Sequence, residues 1–182
     1  MSGQRLLPSK EIEYLGITID ENLYFKKYIN ELTLKLSRAN GMLAKIRHYV
    51  NLETLICIYH AIFGSHLRYA CQVLAHIKRA EINRVSILQN KAMRLMFFQP
   101  KNSRCNILYY LSKILNFYDM VQYINCLFIW NQQHSLLPIV FDNYFQNRNG
   151  CGYYLRTVAN NNLTVPLKQT LNYGINSITY QS

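Results

Sequence analysis

The chain has 182 residues, half of them apolar, which suffices for one compact domain and excludes an intrinsically disordered chain. The net charge is +11, and the segment from Lys26 to Arg104 accounts for all of it, with fourteen Lys or Arg residues and three Glu. Positive charge concentrated in one segment favours binding to a polyanionic partner, either nucleic acid or an acidic membrane surface. The alternative, a basic helix face that only contacts solvent, is less favoured.

The sequence carries no clear targeting or membrane-spanning signal. The nearest candidate for a span, residues 52–77, contains His60, His66 and Arg68. It therefore predicts a buried helix, because a span needs roughly 18 to 20 uninterrupted apolar residues. Residues 1–10 lack the apolar core of a signal peptide. The five cysteines lie far apart without a C-x-x-C pair, which is typical of reduced thiols in an intracellular protein.

Residues 11–20 (EIEYLGITID) have the pattern of β-structure. Apolar side chains recur at every second position on both sides of Leu15-Gly16, which predicts either a short β-strand bent at the glycine or a hairpin. The Asp-Glu-Asn sequence at 20–22 is typical of a turn.

From Tyr28 onward the apolar period becomes that of a helix. The apolar positions step by three and four residues, at Ile29, Leu32, Leu36, Ala39, Leu43, Ile46 and Val50. Roughly opposite them lie Lys27, Lys35, Arg38 and Lys45, with Glu31 among them. The sequence therefore predicts an amphipathic helix with a basic outer face.

The next helical pattern covers residues 52–77 and is apolar nearly all round. Asn51 is typical of a helix N-cap, and Glu53 follows in the first turn. We expect the central helix of a bundle here, with a break near Gly64.

A third helix is predicted from about Glu81 to Phe98, and Pro100 ends it. The residues expected to face inward are Ile82, Val85, Leu88, Ala92 and Leu95, and those expected to face outward are Arg84, Lys91 and Arg94. Three adjacent helices with short links favour a small antiparallel bundle.

The rest of the chain is less regular. We expect a short helix at 107–115 and a longer one from about Asp119 to Trp130, ended by Leu137-Pro138. After Gly150 the composition favours loops and short strands.

These patterns predict a mainly α fold, an antiparallel helical bundle preceded by a short β-strand or hairpin and followed by an irregular C-terminal tail. The predicted segments are a strand region at 1–25, the basic bundle at 26–104, further helices at 105–150 and the tail at 151–182.

Catalytic chemistry is not evident in this sequence. Nucleotidyl transfer with two metal ions needs at least two carboxylates close together, and Asp20-Glu21 is the single adjacent pair among nine acidic residues. Because the pair follows a predicted strand, a turn is the favoured interpretation. Glycine-rich phosphate loops and G-x-S-x-G elbows are also missing. We therefore predict no catalytic residue in this chain.

Five residues raise the question of zinc: Cys57, His60, His66, Cys71 and His76. Structural zinc sites usually take their ligands from turns or hairpins with C-x-x-C spacing, whereas these residues share one apolar helical pattern. Buried cysteines without a ligand role are common. We expect the cysteines to belong to the core, and no metal or cofactor in this chain.

Basic helix faces with tyrosines nearby are suited to binding along the phosphate backbone of a nucleic acid. Lys and Arg neutralise phosphates without reading sequence, and Tyr28, Tyr49 and Tyr69 could stack on bases or sugars. By itself this pattern indicates only a basic helical module.

Four blocks of sequence in a fixed order are more specific. The first is residues 13–20 with Leu23 and residues 27–29 (KYI); the others are residues 35–50 (beginning KLSRANG), 55–69 (ending HLRY) and 88–94 (LQNKAMR). Weaker matches continue at 137–138, 156–157 and 177–180. This series resembles the region that follows the palm in the reverse transcriptases of non-LTR retrotransposons, and it covers nearly the whole chain.

The resemblance implies that residues 1–25 lie at the junction of palm and thumb, with Tyr14, Leu15 and Gly16 as positioning residues near a primer grip. It implies that residues 26–104 form a thumb-like bundle along an RNA or RNA–DNA duplex. The parent enzyme would be an RNA-directed DNA polymerase that needs Mg²⁺. The partners would be the duplex and the palm and finger domains, with no membrane and no small-molecule substrate. The expected phosphate contacts are Lys35, Arg38, Lys45, Arg84, Lys91 and Arg94.

The sequence also departs from the family pattern. Nothing matches the catalytic aromatic-x-Asp-Asp segment, the finger motifs or the endonuclease domain, and Tyr28 stands where the family often has histidine. We therefore expect a fragment that is inactive alone, with Met1 as an internal start. The alternatives are a stand-alone helical module that binds an acidic protein, and a degenerate copy without function, whose strand at 12–19 would lack a sheet partner.

Overall fold

The N-terminal β-structure is a hairpin in the computed structural model, which describes residues 10–69, 71 and 79–141. Strands β1 (Glu11–Tyr14) and β2 (Ile17–Asp20) pair antiparallel, with Tyr14 opposite Ile17. The loop is Leu15-Gly16, whose φ angles of 50° and 74° are both positive, as a tight type I′ turn requires. The hairpin alternative of the prediction is confirmed. The single bent strand is wrong, and the strand expected to lack a partner pairs within its own segment.

The two faces of the hairpin differ in chemistry. Directly paired residues share a face, so Ile12 and Tyr14 lie on one side and Thr18 on the other. Thr18 is buried, whereas Ile12 and Tyr14 are 62% and 64% exposed. Strand β2 therefore lies against the helices, and the apolar residues of β1 face solvent.

The first helix, α1 (Lys26–Ile46), has the predicted apolar stripe. Its most buried apolar side chains are at most 5% exposed, namely Tyr28, Ile29, Leu32, Leu36, Ala39 and Leu43. The predicted rotation of this helix is therefore confirmed.

The second predicted helix is interrupted where the sequence indicated a break. It consists of α2 (Leu52–Tyr59), one π-helical turn (His60–Gly64) and α3 (Ser65–Tyr69). The predicted N-cap is confirmed, because the Asn51 side chain accepts a hydrogen bond from the backbone N–H of Thr54 at 2.9 Å. The Ser65 N–H donates to the His60 carbonyl five residues back, which defines the π turn.

The third bundle helix, α4 (Arg79–Met96), runs parallel to α1. Three hydrogen bonds join the two helices, and residue numbers increase in the same direction along both. They link Arg84 to Asn30, Asn40 to the Leu88 carbonyl, and Arg47 to the Leu95 carbonyl. The intervening α2 and α3 run the opposite way, since α2 begins near the end of α1 and Tyr69 reaches back to the hairpin. Consecutive helices are thus antiparallel, as predicted.

A buried glutamine joins the helices at the centre of the bundle. Gln89 is 1% exposed, and its Nε2 donates to the Tyr59 hydroxyl and to the Leu115 carbonyl, each at 3.0 Å. The Tyr59 ring stacks on Phe63 with centroids 5.1 Å apart. Burial raises the pKa of Tyr59 to about 12, so its hydroxyl stays protonated as a hydrogen-bonding group.

Two further helices follow, α5 (Asn106–Ser112) and α6 (Phe117–Gln133), with a 3₁₀ turn at Ile139–Phe141. Helix α6 begins two residues before the predicted Asp119. Asn116 accepts from the Asp119 N–H at 3.0 Å and donates to the Asp119 carboxylate at 2.6 Å, which caps the helix reciprocally.

The chain divides into two compact units, Met1–Met120 and Val121–Ser182. In the described part of the second unit, Trp130 stacks on His134 with ring centroids 4.1 Å apart. The predicted tail at 151–182 lies outside the described residues. Over the described ranges, no helix combines the length and hydropathy needed to cross a membrane.

Candidate nucleic-acid interface

Three of the predicted phosphate contacts lie on the outer face of α1. The buried stripe fixes the rotation of the helix, so Lys35, Arg38 and Lys45 are all exposed. Arg38 and Lys45 are about two helical turns apart on one line, and Lys35 lies beside that line. Within residues 10–69, 71 and 79–141, no side chain pairs with any of the three. Their charges are therefore free to meet a polyanion.

The three predicted contacts on α4 differ in availability. Lys91 is exposed, and no described residue pairs with it. Arg84 binds the Glu81 carboxylate at 2.7 Å and the Asn30 side chain at 3.0 Å. Arg94, expected to face outward, is half-buried, and its Nε donates to the Ser103 carbonyl at 3.0 Å. That expectation for Arg94 is wrong, because the chain after α4 folds back onto its side chain.

Helices α1 and α4 lie side by side, so the outer faces that carry Lys35, Arg38, Lys45 and Lys91 belong to the same bundle. These four cations are solvated, so they interact with phosphates over distances set by salt screening, about 8 Å at physiological ionic strength. The arrangement suits a sequence-independent electrostatic contact and does not provide a pocket for one defined ligand.

The three tyrosines proposed for stacking have different environments. Tyr28 is 5% exposed, and burial raises its pKa, so it belongs to the core and the stacking prediction is wrong there. Tyr49 is 87% exposed beyond the end of α1. Tyr69 is 61% exposed, but its hydroxyl donates to the Leu15 carbonyl and so ties α3 to the hairpin turn.

The predicted positioning residues Tyr14, Leu15 and Gly16 come together at the tip of the hairpin. Tyr14 and Leu15 are 64% and 69% exposed. At the other end of the hairpin, the Lys27 ammonium binds the Glu11 carboxylate at 3.1 Å, which raises the pKa of Lys27. The tip is therefore held to the bundle through α3, and the open end through α1.

The cysteines and histidines of the central helix do not form a cluster of metal ligands among the residues that the structure describes. Across the part of the chain that the structure describes, no three His, Cys, Asp or Glu side chains come together, and His76 lies outside it. Cys71 is buried, which raises its pKa to about 12 and keeps the thiol protonated. Cys57 and Cys126 are exposed, contrary to the expectation of core cysteines, because they lie on the outer sides of α2 and α6.

One cluster has no counterpart in the sequence prediction. Arg47 and Phe98, predicted only as parts of two separate helices, are in contact beyond the ends of α1 and α4. Periodicity describes one element at a time, so it could not pair residues from two helix ends. The sequence signal that could have pointed to this cluster was Tyr49, because it is an aromatic residue within a basic segment.

Comparisons with known proteins give three similar polymerases, although no protein-family model and no solved structure matches this chain. The RNA-directed DNA polymerase from mobile element jockey of Drosophila funebris is 31% identical over 104 residues, which is 55% of this chain and 11% of that protein. The jockey polymerase of Drosophila melanogaster is 28% identical with the same coverage. A probable RNA-directed DNA polymerase from transposon X-element of Drosophila melanogaster is 28% identical over 87 residues, 46% of this chain and 10% of that relative.

This chain is related to the RNA-directed DNA polymerases of non-LTR mobile elements. The resemblance of the motifs to the polymerases of non-LTR retrotransposons is thereby confirmed over about half of the chain. The chain spans about a tenth of the length of the curated relatives it matches.

Proposed function

We propose that this chain is a thumb-side region of a non-LTR RNA-directed DNA polymerase and that it binds the template–primer duplex through phosphate contacts. The observation that carries the proposal is the row of exposed cations on α1, formed by Lys35, Arg38 and Lys45. Lys91 on the adjacent α4 is a further exposed cation of the same bundle.

Phosphate contacts of this kind fit the electrostatics of the bundle. An enzyme that copies RNA into DNA must hold an RNA–DNA hybrid whatever its sequence, and Lys or Arg contacts to backbone phosphates are independent of sequence. Arg84 and Arg94 contribute less, because each is already held by neighbouring groups of the bundle. The proposal therefore assigns the main phosphate contacts to Lys35, Arg38, Lys45 and Lys91.

The hairpin has a different role in this proposal. Its exposed tip, Tyr14, Leu15 and Gly16, would dock against the palm of the parent enzyme and position the thumb-side helices relative to the primer. Apolar side chains that point into solvent favour such docking, because covering them removes apolar area from water. Polymerisation itself would depend on palm carboxylates and Mg²⁺, so we expect no nucleotide incorporation by this chain alone with Mg²⁺ or Mn²⁺.

The test is binding of the full chain to an RNA–DNA hybrid across a salt series, beside the triple variant Lys35→Ala, Arg38→Ala and Lys45→Ala. Wild-type affinity should fall steeply with salt. The triple variant should bind more weakly, and its salt slope should be shallower by about 0.9 for each duplex phosphate that the protein no longer neutralises.

A matched pair of single variants separates a local contact from net charge. Arg38→Ala and Lys113→Ala each remove one exposed cation, but Lys113 lies at the end of α5 and does not belong to the row of cations on α1. Arg38→Ala should reduce the salt slope, and Lys113→Ala should leave it nearly unchanged. Equal effects of the two variants on the salt slope would show that binding depends on net charge and not on a contact at Arg38. Absence of binding by folded protein at low salt would contradict the proposal. Affinity for an acidic protein that exceeds affinity for the hybrid would support the interaction-module alternative.

A further inference from the structure

The basic end of the bundle carries a compact cluster of aromatic and cationic side chains. The Arg47 guanidinium carbon lies 4.8 Å from the centre of the Phe98 ring, within the range of a cation–π contact. The His48 ring meets Phe98 edge-on with centroids 5.2 Å apart. Tyr49 follows in the chain and is 87% exposed. Arg47, His48 and Phe98 are thus in mutual contact at the ends of α1 and α4, and the exposed Tyr49 is the next residue along the chain.

Existing contacts orient this cluster and still leave its aromatic rings accessible. Arg47 is fixed by two hydrogen bonds, from its Nη1 to the Leu95 carbonyl at 3.4 Å and from its Nε to the Nε2 of His48 at 3.2 Å. Phe98 remains 54% exposed although it contacts both neighbours.

The backbone holds Phe98 in a conformation that its side chain disfavours. Gln99 N–H donates to the Arg94 carbonyl at 2.9 Å and Phe98 N–H to the Leu95 carbonyl at 3.4 Å, so α4 ends in a Schellman motif. Phe98 occupies the left-handed position, with φ of 53°, where glycine is the usual residue. A bulky aromatic that is strained and half-exposed points to a role for the ring outside the core.

The two chain segments that carry the cluster are basic. Residues 43–50 and 94–104 contain Lys45, Arg47, Arg94, Lys101 and Arg104 and no Asp or Glu. Exposed aromatic rings in a cationic setting are the elements with which proteins bind single-stranded nucleic acid, since bases stack on the rings while Lys and Arg neutralise the phosphates.

We propose that Arg47, His48, Tyr49 and Phe98 form a stacking site for an unpaired nucleobase at this end of the bundle. The bound group would be a nucleotide of a single-stranded extension, whose phosphates meet Lys45 and Lys101. This inference rests on the proposed binding of nucleic acid, and it adds a single-stranded element to a surface that otherwise tracks a duplex.

The test uses the full chain and single-stranded oligothymidine with one central 2-aminopurine, whose fluorescence is quenched when the base stacks. The decisive variant is Phe98→Gly, because glycine suits the left-handed position and should allow α4 to end normally. Ser135→Gly is the matched control, since Ser135 has φ of 54° and no part in the cluster. Phe98→Trp keeps an aromatic surface at the same position.

Wild-type protein should bind the oligonucleotide and quench the fluorescence, and Phe98→Gly should lose the quenching and bind roughly tenfold more weakly. Ser135→Gly and Phe98→Trp should behave like the wild type. Unchanged quenching in folded Phe98→Gly would overturn the inference. If wild-type protein binds the RNA–DNA hybrid but does not quench 2-aminopurine, the stacking site alone is wrong. If it binds neither nucleic acid, the proposed function fails as well.

Discussion

The hairpin and the helical bundle follow opposite rules of burial. In α1 the apolar stripe is inside and the cations are outside. In the hairpin the polar Thr18 is buried, while Ile12 and Tyr14 point into solvent. The bundle therefore satisfies its own core, whereas the hairpin is held in place by polar ties: Tyr69 to the Leu15 carbonyl, and Lys27 to Glu11.

The bundle and the hairpin therefore differ in what their apolar residues do: those of the bundle stabilise the fold, and those of β1 remain exposed to a partner. The bundle gains free energy by removing apolar area from water, about 25 cal/mol for each Å² buried. The exposed apolar residues of β1 gain little in this way, so they are free to contact another surface. That arrangement supports a docking role for the hairpin and a scaffolding role for the bundle.

The sharpest test compares one side chain from each region. Phe63 is fully buried and stacks on Tyr59, so Phe63→Ala should lower the free energy of unfolding by about 3 to 5 kcal/mol. Ile12 is 62% exposed, so Ile12→Ala should change it by less than about 1 kcal/mol. Urea unfolding followed by circular dichroism measures both. Similar losses in the two variants would show that the hairpin belongs to the cooperative core.

The bundle was predictable because its signals are local. The spacing of Ile29, Leu32 and Leu36 set the rotation of α1, and Asn51 marked the start of α2. The same periodicity identified Lys35 and Lys45 as outward-facing, because residues opposite the buried stripe of an amphipathic helix face solvent.

The hairpin and the ends of the helices were harder to predict because their structure depends on non-local contacts. Alternation at 11–20 is equally compatible with one bent strand, and only the left-handed backbone at Leu15, rare for leucine, makes the hairpin. Arg94 was misassigned because its partner, the Ser103 carbonyl, lies in a loop without periodicity. The contact of Arg47 with Phe98 joins residues from two elements.

The tie between Tyr69 and the hairpin gives a second, smaller test. Tyr69→Phe removes the hydroxyl that donates to the Leu15 carbonyl, which should destabilise the hairpin locally by about 1 kcal/mol. Backbone amides that bridge β1 and β2 should then exchange with deuterium roughly fivefold faster, while amides in the core of α1 keep their rates. Tyr49→Phe is the control, because Tyr49 is 87% exposed and lies outside the hairpin. Equal exchange in the two variants would exclude Tyr69 as the tie.

The smallest expected effect lies in the turn itself. Leu15 and Gly16 both have positive φ, and Asn-Gly is a preferred pair for such a turn, whereas a left-handed leucine costs about 1 kcal/mol or more. Leu15→Asn should therefore raise the free energy of unfolding by about 0.5 to 1 kcal/mol, measured by urea unfolding.

Gly16→Ala is the opposite control. Apart from its neighbours in the chain, no atom lies within 4 Å of the added Cβ, so the variant should lose stability through backbone strain alone, by about 1 kcal/mol. If Leu15→Asn lowers stability instead, Leu15 contributes to packing within this chain. If it raises stability, leucine is retained at the tip at a cost to folding. That outcome favours a contact made by the Leu15 side chain outside the bundle, as docking of the hairpin on a palm requires.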